Sequence, residues 1–424
     1  MTEANERAGM NRPSSAEPAA GVSAPKVSRL NLGALPGGRI TAVVLLVVAL
    51  IIAGVTGQNF LSLHNLPYIT PGSGVSRVAM LSDYSPELKG SHGDTPIYVM
   101  EGAEPGGKML LIGGTHPNEP SGHLGAVLFL QNAKVTKGTV YVIPYANRSA
   151  FTHNDPQEAA PQALNIPTPQ GNAVVRYGSR ATNPIDSWPD PDVYIHTSGQ
   201  KLSGSETRNL NRAYPGRIDG TFTERVTYAI TNLIQKEGVN LTFDLHESSP
   251  EYPVNNATVA HEKAMNIAAE GVINLQSMGI EMSLEPSPSN LHGLTHRELG
   301  DYTDTYPLLM ETPNASQGRL RGVTDEASAL TGIDPMYVYA ARLGFVYVPY
   351  DEKGHPIEER VGRHLEGIIQ YTAAYTNQNP EMPIEFENVP TYEQLFASEE
   401  GAPLGGSRLG QFMLPTTQYE SDLK

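Results

Sequence analysis

At 424 residues the chain has room for two or three average domains, or for one large α/β domain with insertions. Its 39% hydrophobic and 17% charged residues are ordinary for globular protein. The absence of cysteine excludes disulfides, thiolate metal sites and cysteine nucleophiles, so a transition metal must be held by histidine and carboxylate.

Residues 1–39 are polar and rich in Ala, Pro, Ser and Gly, with too little apolar surface to fold, which predicts a disordered cytoplasmic tail. Residues 40–57 (ITAVVLLVVALIIAGVTG) carry no charge. As a helix they span about 27 Å, close to the thickness of a bilayer's hydrocarbon core. A soluble helix would show a polar face and this one has none, so the run predicts a transmembrane helix. A cleaved signal peptide fits less well: the basic region is long, the apolar core exceeds the usual length and no A-x-A site follows, which favours an uncleaved signal anchor. Arg7, Arg12, Lys26, Arg29 and Arg39 precede the run and no Lys or Arg follows before Arg77, which places the N-terminus in the cytoplasm and the rest outside. With the five basic and three acidic residues of the tail set aside, 24 basic and 42 acidic residues remain, a net −18 that repels nucleic acid.

Residues 58–95 read as a connector. From residue 96 the pattern alternates: strands at 97–100 and 108–112, a helix from Pro120 to about Asn132, and a strand at 139–144. Further helices are predicted at 223–237, capped by Thr221 and Glu224, at 259–278 and at 357–375, with buried-type strands at 241–245 and 306–310. This order predicts a mixed, largely parallel sheet with helices on both faces, over a domain spanning 96–376. Residues 152–205, with seven prolines and little periodicity, read as an insertion, either an ordered loop or lid or a disordered segment. Residues 377–424 form a C-terminal extension.

The chemistry gathers at strand ends, where open α/β sheets place their sites. In LLIGGTHPNEPSG (110–122) a strand gives way to a helix through two glycines, and His116 and Glu119 stand on the turn, three residues apart. An imidazole and a carboxylate so placed can bind one Zn2+ if a distant third ligand exists, although H-x-x-E alone is common by chance. LTFDLHES (241–248) supplies that ligand as His246, with Asp244 on the same face as a candidate orienting partner. The set His116, Glu119 and His246 is that of zinc hydrolases, which keep one position open. In TRNLNRAYPG (207–216), Asn211 and Arg212 can grip a carboxylate, the guanidinium through two parallel hydrogen bonds. YPLLMETPN (306–314) ends on Glu311, which can act as base toward an attacking water and as acid toward a leaving amine.

GGTHPNEPSG, NLNRAYPG, FDLHES and LLMETPN, in this order, resemble the succinylglutamate desuccinylase/aspartoacylase family, a branch related to zinc carboxypeptidases, over roughly residues 108–376. The resemblance implies that His116, Glu119 and His246 bind one zinc ion per chain, that Asn211 and Arg212 hold substrate, and that Glu311 is the catalytic acid/base. The chain departs from the family pattern at Pro117, where Gly is commoner, at Asn209, where Asp is commoner, and at Gly204, where many members carry a second substrate arginine. Arg208 is the nearest replacement, with Arg148, Arg176 and Arg180 as others. The C-terminal β domain of many members has no counterpart of similar length after Thr376.

These features predict a membrane-anchored zinc hydrolase that cleaves an amide, or an ester, in a small carboxylate-bearing substrate such as an N-acyl amino acid. A zinc carboxypeptidase acting on cell-envelope peptides shares the ligand set, and a membrane-tethered binding module without catalysis shares the fold. Neither the acyl group nor the oligomeric state is legible.

Overall fold

The computed structural model describes residues 38–154, 160–396 and 407–423. The predicted polar tail before residue 38, with Arg7, Arg12, Lys26 and Arg29, lies outside the described residues, as do 155–159 of the insertion and 397–406 of the C-terminal extension. The chain forms two bodies, residues 1–58 and residues 59–424.

The described part of the first body lies in helix α1 (Gly38–Ser62), 25 residues long. It extends the apolar run of residues 40–57 at both ends. None of its residues is buried, although Leu, Val and Ile dominate every side. A core helix of a soluble protein would be covered, whereas this one has the length and composition to cross a bilayer.

The second body is built on one nine-stranded sheet. Its strands are β1 (Arg77–Met80), β2 (Pro96–Glu101), β3 (Glu104–Ile112) and β4 (Lys134–Ile143). After two separate hairpins, β5 (Ala163–Thr168) with β6 (Gly171–Arg176) and β7 (Val193–Ile195) with β8 (Lys201–Ser203), it continues with β9 (Leu241–Ser248), β10 (Ala257–Ala260), β11 (Ser283–Pro286), β12 (Tyr306–Pro313) and β13 (Glu385–Glu387). The spatial order is β1-β2-β4-β3-β9-β12-β10-β11, with β13 on β4. The central four, β4, β3, β9 and β12, are parallel, and antiparallel strands flank them. The helices are α2 (Pro120–Asn132), α3 (Phe222–Glu237), α4 (Met265–Ser277), α5 (Thr295–Tyr302), α6 (Glu326–Thr331), α7 (Pro335–Arg342), α8 (Ile357–Gln378), α9 (Tyr392–Leu395) and α10 (Ser407–Gln411).

The sheet is covered on both faces, as the alternating sequence pattern predicts. Met109, Leu111, Val140, Val142, Phe243 and Leu245 pack with α2, α4 and α8 on one face, while Leu110, Ile112, Tyr141 and Ile143 pack with α3 on the other. This alternation is the two-residue period of a pleated strand. It puts Asp244 and His246 of β9 on the α3 side, opposite Phe243 and Leu245.

Three boundaries differ from the sequence expectation. Residues 58–95 are no connector: Leu66, Leu81 and Leu88 are buried and β1 pairs with β2 from Arg77 opposite Val99. Their few apolar residues are spaced by polar ones, so the burial is invisible without the partners. The predicted helix 259–278 begins as strand β10, because Ala257–Ala260 fits between β11 and β12, and α4 starts only after a turn at His261. The C-terminal extension is packed: β13 pairs with β4, Leu409 is buried and Pro67 bridges to Tyr419. In the insertion, the described residues form the two hairpins and short 3₁₀ turns.

Candidate metal centre

The loop between β3 and α2 is held by main-chain bonds to the segment after β4: Ala146 N–H donates to Gly113 O and Asn147 N–H to Gly114 O, both at 3.0 Å. Gly114 has φ +68°, and a Cβ there would lie 2.6 Å from Pro144 O, so only glycine fits. Pro120 opens α2, and Glu119 is the residue before it. Glu119 and His116 are therefore placed by one turn closed by a 3.0 Å bond from Glu119 N–H to His116 O.

His246 comes from β9, which pairs with β3, and the three side chains meet. His116 Nδ1 lies 2.8 Å from Glu119 Oε1 and His246 Nδ1 lies 2.9 Å from Glu119 Oε2. One ligand atom from each of His116, Glu119 and His246 falls within 4.8 Å of the others, and all three residues are buried. The outward nitrogens are also held: His116 Nε2 at 2.8 Å from Asn209 Oδ1 and His246 Nε2 at 2.8 Å from Asp244 Oδ2. Each oxygen accepts an N–H, which puts hydrogen on Nε2 of both rings and turns both Nδ1 atoms toward the Glu119 carboxylate. Asp244 is itself fixed by Thr115 Oγ1 at 2.8 Å and Thr295 Oγ1 at 2.6 Å.

Burial opposes the charge on Glu119, but the two histidines outweigh it and hold the carboxyl well below its ordinary range. Burial likewise opposes protonation of His246, which Asp244 and Glu119 nevertheless drive well above its ordinary value, while burial leaves His116 lowered. Two imidazole lone pairs facing an ionised carboxylate repel one another unless a cation or a proton stands among them. The donor set therefore fits a divalent metal ion bound by two nitrogens and a carboxylate.

Glu311 follows from register. On the parallel neighbour β12 it stands directly beside His246. Burial, then the charges of Glu119, Asp244 and Glu247, raise its carboxyl to about 8 despite the opposing pull of His246. Among the described residues its Oε2 is buried with no hydrogen-bond partner.

Beneath the centre, Glu247 accepts from Ser121 N–H at 3.2 Å and Asn314 Nδ2 at 3.1 Å and pairs with buried Arg360, while its own N–H donates to Glu119 Oε2 at 3.0 Å. The carboxylate thus stands at the N-terminus of α2, where it meets the unpaired amides and the helix dipole.

Asn211 is buried, and its Oδ1 accepts from Thr295 N–H at 2.9 Å. Arg212 sits beside it, with Nε 3.9 Å from Glu206 Oε2, and Arg180 reaches Glu206 Oε1 at 3.2 Å. Burial and the charge of Arg180 lower Arg212, and the Glu311 charge acts on it in the opposite sense. Arg208 is placed elsewhere: its guanidinium grips Asp190 at 2.7 and 3.0 Å and Thr182 O at 2.9 Å. Of the other three arginines, Arg148 pairs with Glu420 and Arg176 with Phe151 O, whereas Arg180 bears on both His116 and Arg212. A side chain at position 204 has no room, since a Cβ on Gly204 would lie 1.6 Å from Pro191 O.

Glu206, Thr115 and Thr295 belong to no motif, and the part that Asn209 plays depends on a contact across the fold. The Asn209 amide oxygen, which lies 2.8 Å from His116 Nε2, holds that ring from a segment 93 residues away. Thr295 arrives from α5 with no motif to mark it. A second group, His261, Glu262 and Asp301, also offers ligand-type atoms, but Arg297 bonds to both carboxylates and to His261. That group is an ion-pair network.

No protein-family model matches the chain, and no curated protein is similar to it. Proteins of the family that the motifs resemble are among the solved structures to which it is similar. A succinylglutamate desuccinylase/aspartoacylase from Rhodobacter sphaeroides is 15% identical over 74% of this chain and 64% of that one, with a TM-score of 0.38. The product-bound ectoine utilization protein EutE (DoeB) from Ruegeria pomeroyi is 20% identical over 51% and 53%, at 0.33. The tripeptide-bound cell shape determinant Csd4 from Helicobacter pylori is 13% identical over 70% and 58%, at 0.40. The chain spans less than two thirds of the length of each. At these identities and scores the likeness transfers no chemistry, which rests on the geometry above.

Proposed function

We propose that the protein is a zinc-dependent hydrolase that cleaves an amide bond in a small substrate bearing a carboxylate, held at a membrane by α1 with the second body outside the cytoplasm. The observation that carries this reading is the convergence of His116 Nδ1, Glu119 and His246 Nδ1 beside a buried, unpartnered Glu311 oxygen. A bound zinc ion would supply Lewis acidity, polarising the scissile carbonyl and acidifying water. The chain's own residues do the rest. His116, Glu119 and His246 hold the ion, Asn209 and Asp244 orient the two imidazoles, and Glu311 takes a proton from water and returns it to the leaving amine through Oε2. Burial and the neighbouring carboxylates favour the protonated form of Glu311, while a cation held by the ligands would favour the ionised form, so its proton is held between opposing influences.

Arg212 and Arg180 are the residues to meet a substrate carboxylate. Two guanidinium groups share the single Glu206 carboxylate, which leaves one positive charge over, and Arg212 can present its planar fork to two oxygens at once. Amide rather than ester cleavage is favoured by a proton donor beside the ligands, because an amine is a poor leaving group until protonated.

The test uses the full chain in lipid vesicles, loaded with zinc and offered a panel of N-acyl amino acids, their esters and short peptides. About one zinc per chain and hydrolysis of an N-acyl amino acid are expected, both lost in His246→Ala. A chain that binds zinc and cleaves nothing in the panel would be a binding module. Preference for peptides would make it a carboxypeptidase, and undiminished zinc binding by His246→Ala would remove the ligand assignment.

A further inference from the structure

Two large apolar side chains of the insertion stand in water without cover: Ile185 is 72% exposed and Trp188 is 74% exposed. They do not dangle. The turn between them is closed by Ile185 N–H to Asn183 Oδ1 at 3.1 Å, Asp186 N–H to Asn183 O at 2.9 Å and Ser187 N–H to Pro184 O at 3.2 Å. Asp186 fastens the turn from below, accepting from Ser149 Oγ at 2.6 Å and lying 2.9 Å from His92 Nδ1. A turn pinned at its base that presents Trp and Ile together toward the outside has the form of a docking element.

The surroundings identify what it docks on. The His92 ring lies 5.8 Å from that of His64, and the His64 ring lies 6.0 Å from that of Phe60, all within the second body. Phe60 and Leu61 belong to the last turn of α1 and are exposed as well. The turn is thus tied, through three successive side-chain contacts, to the segment where the apolar helix ends, and the tryptophan lies two residues beyond the last of them. Covalent distance adds to this. Leu66 is already buried in the second body, four residues after Ser62, so the chain between them spans at most about 14 Å.

We propose that the 185–188 turn docks on the lipid–water interface of the bilayer that α1 crosses, with Trp188 and Ile185 at headgroup level beside Phe60 and Leu61. This rests on the anchored reading above. Tryptophan at a membrane interface buries its ring among acyl-chain ends and headgroups while its N–H stays hydrated, which is the environment the exposed indole lacks in water. The docked turn is continuous with the candidate metal centre. Thr182 and Asp190, on either side of it, both bond Arg208, whose neighbour Asn209 holds His116. The lipid surface would therefore brace the segment that orients one ligand.

Trp188 is the chain's only tryptophan, so its fluorescence reads this one position. The full chain is reconstituted in phosphatidylcholine vesicles carrying a spin label either at headgroup level or at the end of the acyl chain. Flotation with the vesicles is measured on the same samples. Docking predicts that the chain floats, that the shallow label quenches Trp188 about twofold or more beyond the deep one, and that aqueous acrylamide quenches it several-fold less than free tryptophan amide, as a ring at the interface requires. A chain that floats while Trp188 stays open to acrylamide and indifferent to both labels would overturn the docking and leave the anchor standing. A chain that does not float would overturn both. Protection of Trp188 that appears only after zinc and an N-acyl amino acid are added would make the turn a lid over the site, and would overturn the docking too.

Discussion

Buried Glu119 and half-buried Glu311, whose Oε2 is covered, both stand beside His246, and their surroundings send them in opposite directions. Glu119 is met by two imidazoles, which hold it ionised, while burial and the neighbouring carboxylates raise Glu311 to about 8. Glu311→Gln keeps shape and hydrogen-bonding capacity but cannot transfer a proton. It should retain zinc and KM while kcat falls by about 10²–10⁴-fold, read as metal content and turnover on one preparation. Normal turnover in the zinc-loaded variant would return Glu311 to a structural role. His123 makes a separate prediction about acid. It is buried against Tyr145 at 4.8 Å and donates from Nδ1 to Pro144 O at 2.8 Å, and burial lowers its pKa to about 4. Because the folded value lies below the unfolded one, the unfolded chain binds the extra proton. Stability is complete above the ordinary histidine value of about 6.5 and is lost as pH falls toward about 4, by about 3 kcal/mol in all. His123→Gln should flatten the fall of Tm between those pH values, and an unaltered slope would assign it to other groups.

At the level of elements, the centre depends on α2 lying close against β9. Gly122 makes this possible, since a Cβ there would sit 2.2 Å from Leu245 O, next to His246. Gly122→Ala should push the helix from the strand, costing about 1–3 kcal/mol of stability, and should weaken zinc affinity because Glu119 and His246 move apart. Tm and zinc Kd measured together test this. A loss of stability with unchanged Kd would mean that the ligands are held by the loop alone. The four parallel strands explain why ligands so distant in sequence meet. β3, β9 and β12 lie side by side and all run the same way, so the loop after β3, the end of β9 and Glu311 reach one edge of the sheet together.

For the whole molecule, the decisive prediction concerns topology. If α1 crosses the bilayer with its N-terminal side in the cytoplasm, protease added to intact cells should digest the second body, which fractionates with membranes. Protection of that body, or its recovery as a soluble chain lacking residues 40–57, would remove the anchor. Deleting residues 40–57 should abolish flotation while sparing zinc binding, since α1 contributes none of the ligands.

The candidate ligands, Glu311 as a candidate beside them, and the alternating sheet were legible in the sequence because each is a local pattern: two residues on one turn, a histidine or glutamate ending an apolar strand, a period of two or of 3.6. What holds those residues was not. Asn209 behind His116, Thr115 and Thr295 behind Asp244, and Arg360 under Glu247 lie up to 129 residues from the groups they fix. No spacing rule reaches across such a distance. The arginines divide in the same way. By sequence Arg208 was nearest the motif, yet Asp190 captures it and Arg180 stands at the centre, because a long side chain's partner is chosen by the charges folded around it. Composition alone marks α1 as unfit for water. Only the packing of Leu66, Leu81 and Leu88 reveals that the folded body begins almost where that helix ends, since burial is a property of the partners a residue meets and not of the residue.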